Sequence, residues 1–253
     1  MRYFENPPWH FGLKHANSVS EFLSSDTKQS FEQLCQVPEY REYFRQQGWL
    51  EPGAITYKIN SYGFRCDEFD DRDCIIALGC SFTIGIGLPL ESTWPQMVGQ
   101  QLGLVPYTLA WGGSSADTCF RLAEYWIPAL KPKAVFVLTP PPSRFELIRA
   151  SGTVPVETYM PSSESCTATE IDSFLKHWHT MEENGRLNQK KNKLAIKAMC
   201  TEFDVPFFSY DVFEWMTLSR EEIGYARDRM HGGVIAHQRL SERMLDDWRK
   251  KHP

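Results

Sequence analysis

The stretch CIIALGCSFTIGIGLPLESTW, residues 74–94, starts as a buried strand and then changes character. Its apolar run Ile75–Leu78 is typical of a strand covered on both faces, because such strands lack alternating polar side chains. The run stops at Gly79, and Cys80 and Ser81 follow before two further glycines. A serine at a strand-to-helix junction is either the cap of the helix or a reactive hydroxyl beside the helix N-terminus. The stretch alone leaves both interpretations open.

The rest of the chain alternates between strand-like and helix-like segments. Strand-like apolar runs lie at 73–79, 105–111, 133–139 and 205–211. Helix-like segments lie at 92–102, 116–130, 169–203 and 234–251. Unbroken apolar strands that alternate with helices predict a parallel sheet covered on both faces. We therefore expect a three-layer α/β/α domain with a flavodoxin-like sheet.

The N-terminal part differs from this pattern. Residues 1–50 are polar and aromatic, with helices expected around 19–25 and 28–47. We predict that residues 1–55 form a helical extension packed on the core, and that residues 56–253 form the main α/β domain.

Composition and charge narrow the class of protein. The chain has 253 residues, 42% of them hydrophobic and 23% charged, which is ordinary for a soluble globular domain. The formal net charge of -5 argues against non-specific binding to nucleic acid. No apolar run approaches the roughly 20 residues that span a bilayer, and the N-terminus lacks a signal-peptide core. Seven cysteines without a framework of close spacings indicate reduced thiols. We expect a cytoplasmic protein without membrane or nucleic-acid partners, although a viral protein would have the same composition.

Three segments rich in small or hydroxyl-bearing residues follow predicted strands. They are Gly79-Cys80-Ser81, Gly112-Gly113-Ser114 and the stretch from Thr139 to Ser143. Ligands of open parallel sheets bind just beyond the carboxyl ends of the strands. We therefore expect the three segments to meet at one edge of the sheet and to form a ligand site.

A further candidate pair lies near the C-terminus. The stretch YARDRMHGGVIAHQRL, residues 225–240, places Asp228 three residues before His231. A nucleophilic serine needs a base within hydrogen-bond reach, and a carboxylate best orients that base. Such a pair also occurs by chance, so the alternative is a surface aspartate that happens to precede a histidine.

Taken together, these blocks resemble the SGNH hydrolase superfamily, also called GDSL-like esterases and lipases. IIALGCSFTIGIG matches the first family block with Ser81 as nucleophile, and DRMHGGVIAHQRL matches the last with Asp228 and His231 as acid and base. TLAWGGSSAD matches the middle block, in which Gly113 takes the place of the oxyanion-hole glycine. INSYGFRCDEF resembles the Asn-Ser-x-Gly-Phe-Arg lead-in of some branches. The resemblance covers about residues 58–247.

Two departures from the family pattern affect the expected site. Cys80 stands where the family usually has aspartate, and LTPPPSRFE lacks the asparagine that completes the family's oxyanion hole in its third block. The donors available in that stretch are the Thr139 and Ser143 hydroxyls and the Arg144 guanidinium. Removing one oxyanion donor typically costs about 10²–10³ in rate. The hole is therefore either re-equipped by Ser143 or Arg144, or weak.

The resemblance implies a serine esterase that needs no cofactor and no metal. His231 would take the proton of Ser81, Asp228 would hold the imidazolium, and the Ser81 and Gly113 N–H groups would meet the oxyanion. The implied substrate is a small-molecule or glycan ester, such as an O-acetyl group on a carbohydrate. Two alternatives stay open: an O-acyltransferase acting on a glycan, and a catalytically silent binding or structural module. The sequence does not determine the oligomeric state.

Other motifs have simpler interpretations. His177 and His179 would point to different faces of a helix and have no nearby carboxylate or thiol cluster, so packing is favoured over metal binding. The four lysines of the predicted helix indicate a solvated face: Lys190, Lys191, Lys193 and Lys197. The irregular segment 151–170 follows the third strand and is either a lid or specificity loop, or a disordered insertion.

Overall fold

A computed structural model describes residues 7–148, 156–159, 178, 181–216 and 224–252 of the chain. The strands, numbered β1 to β8, are Val19–Ser20, Tyr57–Lys58, Cys74–Gly79, Val105–Ala110, Ala134–Thr139, Phe145–Ile148, Val156–Tyr159 and Phe207–Asp211. The helices, numbered α1 to α8, are Lys28–Leu34, Pro38–Gln46, Ser81–Ile84, Trp94–Leu102, Ala116–Leu130, Glu182–Glu202, Val212–Met216 and Val234–Lys251. Among the described residues, 3-10 turns span Phe11–His15 and Leu90–Ser92.

In the part of the chain that the structure describes, the main sheet has four parallel strands in the order β4-β3-β5-β8. Strand β3, which carries the CIIALG run, lies inside the sheet and pairs with β4 from Cys74↔Val105 to Gly79↔Ala110. On its other side β3 pairs with β5, and β5 pairs with β8. Because the strands are parallel, the loops that follow them share one edge. The predicted parallel sheet is confirmed.

Both faces of the sheet are covered, which gives the three layers predicted from the sequence. Ile76 and Leu78 of β3 pack in one cluster with residues of α5 and α6. Ile75 and Ala77 point the other way and pack in a second cluster with residues of α4, α7 and α8. All four side chains are fully buried. Alternate residues of one strand therefore serve two cores, which explains why the run contains no polar residue.

Residues 7–55 pack on the loops at one edge of the sheet. Leu23, Phe44 and Trp49 form a third buried cluster with Ile86 from the turn after α3 and Trp111 from the turn after β4. The N-terminal residues therefore lie against the loops in which the candidate site was predicted. The division of the chain into two domains stays a prediction.

The helices predicted for this N-terminal part are partly wrong. Residues Val19–Ser20 form β1, which pairs antiparallel with β2, and a tight turn follows at 23–26. The single helix predicted over 28–47 is two helices, since Pro38 starts the second and proline disfavours helical backbone at the residue before it.

Helices α4, α5 and α8 begin and end close to the predicted residues, and α6 ends close to its predicted end, whereas the start predicted for α6 at 169 lies outside the described residues. Helix α5 starts after Ser115, which forms a capping box with Thr118. Most of the predicted segment 151–170 lies outside the described residues, apart from β7, which pairs antiparallel with β6. His177 and His179 also lie outside them. In the described part of the chain, no helix combines the length and hydropathy needed to cross a bilayer.

Candidate active site

Ser81 opens the one-turn helix α3 directly beyond the end of β3. Cys80 is extended (φ -124°, ψ -151°) and occupies the N-cap position, and its carbonyl accepts the N–H groups of Thr83 and Ile84 at 2.8 and 3.1 Å. Ser81 is therefore the first helical residue and not the cap. The first N–H groups of a helix have no intrahelical acceptor. The Ser81 N–H can therefore donate to the negatively charged oxygen of a carbonyl group that the Ser81 hydroxyl attacks.

The glycines of the quoted stretch permit close packing around this turn. A Cβ at Gly79 would lie 2.0 Å from Thr83 Oγ1 and 3.0 Å from the Leu138 carbonyl oxygen of β5. Gly85 ends the helix with φ 75° in the left-handed region that favours glycine. Helix α3 is thus held against the sheet and turned sharply after a single turn.

Arg65 holds the turn that follows Ser81. Its buried guanidinium donates to four backbone carbonyls within 3.1 Å, those of Thr56, Ile84, Gly85 and Leu88. Burial lowers the pKa of Arg65 to about 10, so the side chain stays charged at neutral pH. Arg65 belongs to the Asn-Ser-x-Gly-Phe-Arg lead-in, but nothing in the sequence indicated its contacts with the Ser81 turn.

Asp228 and His231 form a buried hydrogen-bonded pair. His231 Nδ1 lies 2.6 Å from Asp228 Oδ2, and Asp228 Oδ1 accepts the N–H groups of Met230 and His231 at 3.0 and 3.2 Å. Burial by itself would raise the pKa of the Asp228 carboxyl. The hydrogen bond and charge of His231, with bonds from Ser25 and Met230, outweigh burial and lower that pKa. Asp228 is therefore an ionised partner for the imidazole at neutral pH.

The Asp228–His231 loop packs on the Ser81 turn. The His231 ring meets the ring of Phe82, the residue after Ser81, edge to face with centroids 4.6 Å apart. The Arg227 N–H donates to the Gly87 carbonyl at 2.9 Å. Within the described residues, the Ser81 hydroxyl and His231 form no hydrogen bond. The segments of the predicted triad are thus in contact, and the catalytic roles of Ser81, Asp228 and His231 stay predictions.

The predicted oxyanion residues fall into two groups. Gly113 has φ 82° in the turn after β4, and Arg144 Nη1 reaches from the loop after β5 to the Ser114 carbonyl oxygen at 3.4 Å. Because β3 lies between β4 and β5, this contact joins the two loops that flank the Ser81 turn. The structure therefore places Arg144 beside the glycine turn.

Thr139 and Ser143 contact other parts of the molecule. The Thr139 hydroxyl donates to the Tyr210 carbonyl oxygen at 2.8 Å, so it is engaged with β8. Ser143 borders a small cavity of about 230 Å³, lined also by Pro142, Trp178 and Gly185. Of the three donors available in the stretch LTPPPSRFE, Arg144 is thus the one that the described contacts bring to the Gly113 turn.

Two residues of the N-terminal part belong to the surroundings of Asp228. Ser25 Oγ donates to Asp228 Oδ2 at 2.6 Å, and Asp26 forms a buried ion pair with Arg227. Both contacts join residues about 200 positions apart in the chain. No motif marked Ser25 or Asp26, because such contacts leave no local pattern.

Comparisons with known proteins give likenesses of overall structure at low sequence identity. No family model and no curated protein matches the chain. A psychrotrophic esterase from Pseudoalteromonas sp. is similar at 10% identity, 72% coverage of this chain, 98% of that chain and a TM-score of 0.39. A putative lipolytic protein of the G-D-S-L family from Desulfitobacterium hafniense has 15% identity, coverages of 66% and 95% and a TM-score of 0.34. An acetyl xylan esterase from Butyrivibrio proteoclasticus has 14% identity, coverages of 74% and 66% and a TM-score of 0.41. Similarities this low assign no function to this chain.

Proposed function

We propose that this protein is a serine esterase in which Ser81 is the nucleophile, His231 the general base and Asp228 the carboxylate that orients His231. The observation that carries the proposal is the buried Asp228–His231 pair, which packs on the turn opened by Ser81. A serine at a helix N-terminus, an imidazole held by a carboxylate and a glycine turn next to them are the parts that acyl transfer needs.

Acyl-enzyme formation proceeds by transfer of the Ser81 proton to His231 Nε2 while Ser81 Oγ attacks the ester carbonyl carbon. The bond to Asp228 keeps a proton on Nδ1, so Nε2 presents its lone pair. The tetrahedral intermediate then expels the alcohol, which takes the proton from His231. Water attacks the acyl-enzyme with His231 again as base, and the acid leaves with Ser81 restored.

The negative charge on the carbonyl oxygen requires donors on the side away from His231. We propose the N–H groups of Ser81 and Gly113 for this role, with the Arg144 guanidinium in place of the family's asparagine. Arg144 pairs with no carboxylate in the described part of the chain, and its contact with Ser114 keeps it beside the Gly113 turn. A positive donor there would stabilise the oxyanion more than a neutral amide does.

The substrate class follows from the motif resemblance and is a short O-acyl ester, in first place an O-acetyl group on a carbohydrate. Transfer of the acyl group to a glycan hydroxyl in place of water uses the same residues. A silent binding module is the competing function, because Ser81 and His231 make no hydrogen bond with each other in the described structure.

Labelling and turnover together test the proposal. The chain is treated with a fluorophosphonate probe, the modified peptide is identified by mass spectrometry, and hydrolysis of p-nitrophenyl acetate is measured. We expect the label on Ser81, and Ser81→Ala and His231→Ala each to abolish turnover. Ser20→Ala and His252→Ala change exposed residues of the same types and should retain full activity.

The other outcomes identify the competing functions. Neither label nor turnover in the wild-type chain would favour the silent module. Acetyl transfer that exceeds hydrolysis when glycans are added would favour the acyltransferase. Once the label is found on Ser81, a panel of acetylated sugars and short-chain esters identifies the acyl group and the leaving group.

A further inference from the structure

A turn from the N-terminal part of the chain reaches the carboxylate of Asp228. Ser25 Oγ donates to Asp228 Oδ2 at 2.6 Å, and the same oxygen lies 2.6 Å from His231 Nδ1. Asp228 Oδ1 accepts two backbone N–H groups, from Met230 and His231. Ser25 is therefore the one hydrogen-bond donor to this carboxylate, among the described residues, that comes from outside the Asp228–His231 loop.

The turn that carries Ser25 is firmly anchored. Leu23 and Asp26 exchange backbone hydrogen bonds of 2.9 and 3.1 Å, and Ser24 between them has φ 56°. Ser25 thus lies in a tight turn whose ends are bonded to each other. Its hydroxyl is presented by rigid backbone rather than by a loose loop.

A buried ion pair fastens the same turn to the catalytic loop. Asp26 accepts two bonds from the Arg227 guanidinium at 2.9 and 2.8 Å, and Tyr57 donates to Asp26 at 2.6 Å. The Arg227 guanidinium also donates to the Glu21 carbonyl and lies 4.7 Å from the Phe22 ring centroid. Arg227 immediately precedes Asp228, so the anchor fixes the distance between the turn and the carboxylate that Ser25 contacts.

We propose that Ser25 is a positioning residue of the active site, which orients Asp228 and thereby His231. The inference rests on the proposed esterase function and extends it to the N-terminal part of the chain. A carboxylate with donors on both oxygens cannot rotate without breaking bonds, so Oδ2 stays aimed at His231 Nδ1. Ser25 also takes up part of the negative charge on Oδ2 and so limits how strongly Asp228 stabilises the protonated imidazole.

Three variants test the proposal. Ser25→Ala removes the donor, Ser25→Thr keeps a hydroxyl at the same position, and Ser24→Ala removes the exposed hydroxyl of the adjacent residue. For Ser25→Ala we expect kcat for p-nitrophenyl acetate to fall by about tenfold, as for one lost bond to a charged group, with KM unchanged.

We also expect the acid limb of the kcat/KM profile to move to higher pH, because a carboxylate with one donor fewer holds the proton of the Asp228–His231 pair more tightly. Ser25→Thr should keep both the kcat and the acid limb of the wild type, because it keeps the hydroxyl. Ser24→Ala should also resemble the wild type in both.

A spectroscopic readout separates this inference from the esterase proposal. The Nδ1 proton of His231, bonded to Asp228, should give a strongly downfield NMR resonance that His231→Ala removes. We expect this resonance to shift or broaden in Ser25→Ala and not in Ser24→Ala, in samples whose thermal unfolding midpoints agree. An unchanged resonance would overturn the role of Ser25 whether or not the chain hydrolyses esters. A loss of kcat that Ser24→Ala reproduces, or an unmoved acid limb, would overturn it as well.

Discussion

The backbone of Gly87 binds the backbone of Arg227, and this contact joins the Ser81 turn to the loop of Asp228 and His231. The Arg227 N–H donates to the Gly87 carbonyl at 2.9 Å. Gly87 has φ 76°, and a Cβ there would lie 2.8 Å from Arg227 N and 3.1 Å from Asp228 N. Position 87 therefore turns the chain after Ser81 and leaves room for the other loop to approach.

Gly87→Ala should damage both stability and activity. The new methyl group meets backbone atoms, which cannot move aside as a flexible side chain does, so the Asp228 loop must shift. The loss in free energy of unfolding should exceed the roughly 1–2 kcal/mol that left-handed backbone costs a non-glycine residue, and hydrolysis should fall at least tenfold. Urea unfolding and p-nitrophenyl acetate turnover measure the two effects.

Gly103→Ala is the matched control for this change. Gly103 also has a positive φ, 66°, but nothing lies within 4 Å of a Cβ at that position. Gly103→Ala should lose only the roughly 1–2 kcal/mol of stability that left-handed backbone costs alanine, and its turnover should be unchanged. Equal losses of activity in the two variants would show that the contact between Gly87 and the Arg227 loop is unimportant for the site.

Arg144→Ala should lower kcat by about 10²–10³, the usual cost of one oxyanion donor, with a smaller change in KM. Thr139→Val should leave kcat within about twofold, because the Thr139 hydroxyl is bonded to the Tyr210 carbonyl. It should instead cost about 1 kcal/mol of stability through that lost bond. Steady-state kinetics measure kcat for both variants. If kcat fell as far in Thr139→Val as in Arg144→Ala, the oxyanion donor would be Thr139.

Arg65→Lys should destabilise the fold although the charge is kept. A lysine ammonium has three donors at one point and cannot reach four separated carbonyls, so buried carbonyl oxygens lose their partners. Leaving buried polar groups unpaired costs about 1–3 kcal/mol each, and we expect a total loss of about 2–4 kcal/mol in urea unfolding. Arg72→Lys, at an exposed ion pair with Asp70, should cost no more than about 1 kcal/mol. Similar losses at the two sites would contradict a special role for Arg65.

Acid should destabilise the protein through His10 and His237. Burial lowers the pKa of His10 to about 4 and, together with the charges of His231 and Arg65, lowers the pKa of His237 to about 3. Below about pH 6.5 the unfolded chain binds protons at these positions that the folded chain does not bind. The free energy of unfolding should therefore fall by up to about 1.4 kcal/mol per pH unit for each histidine as the pH drops from 6.5 toward 4.

Urea unfolding at pH 7 and pH 5 checks this dependence. His237 Nδ1 accepts a hydrogen bond from the backbone N–H of Trp94 at 3.0 Å. In His237→Gln the side-chain oxygen of glutamine can accept this bond instead. The variant should lose stability at pH 7 but show a shallower decline toward pH 5. A decline as steep as in the wild type would mean that other groups cause the acid sensitivity.

Much of the fold could be predicted because its determinants are local. The run Ile75–Leu78 is apolar throughout because its residues face two cores, and helix α5 begins after a serine whose capping box lies within four residues. The Asp228–His231 pair was likewise predictable, since its members are only three positions apart in the chain. The helix predicted at 19–25 failed because the turn at 23–26 is fastened by contacts with Arg227, far away in the chain.

Local patterns in the chain were enough to predict the layered sheet, the position of Ser81 at the end of β3 and the pairing of Asp228 with His231. The groups that surround these residues could be found only from the folded chain: Ser25 on the carboxylate of Asp228, Arg65 on the carbonyls after Ser81, and Arg144 beside the Gly113 turn. These contacts join segments that are distant in sequence. They form because folding excludes water from this edge of the sheet, so that each buried carboxylate and carbonyl needs a partner wherever the chain supplies one.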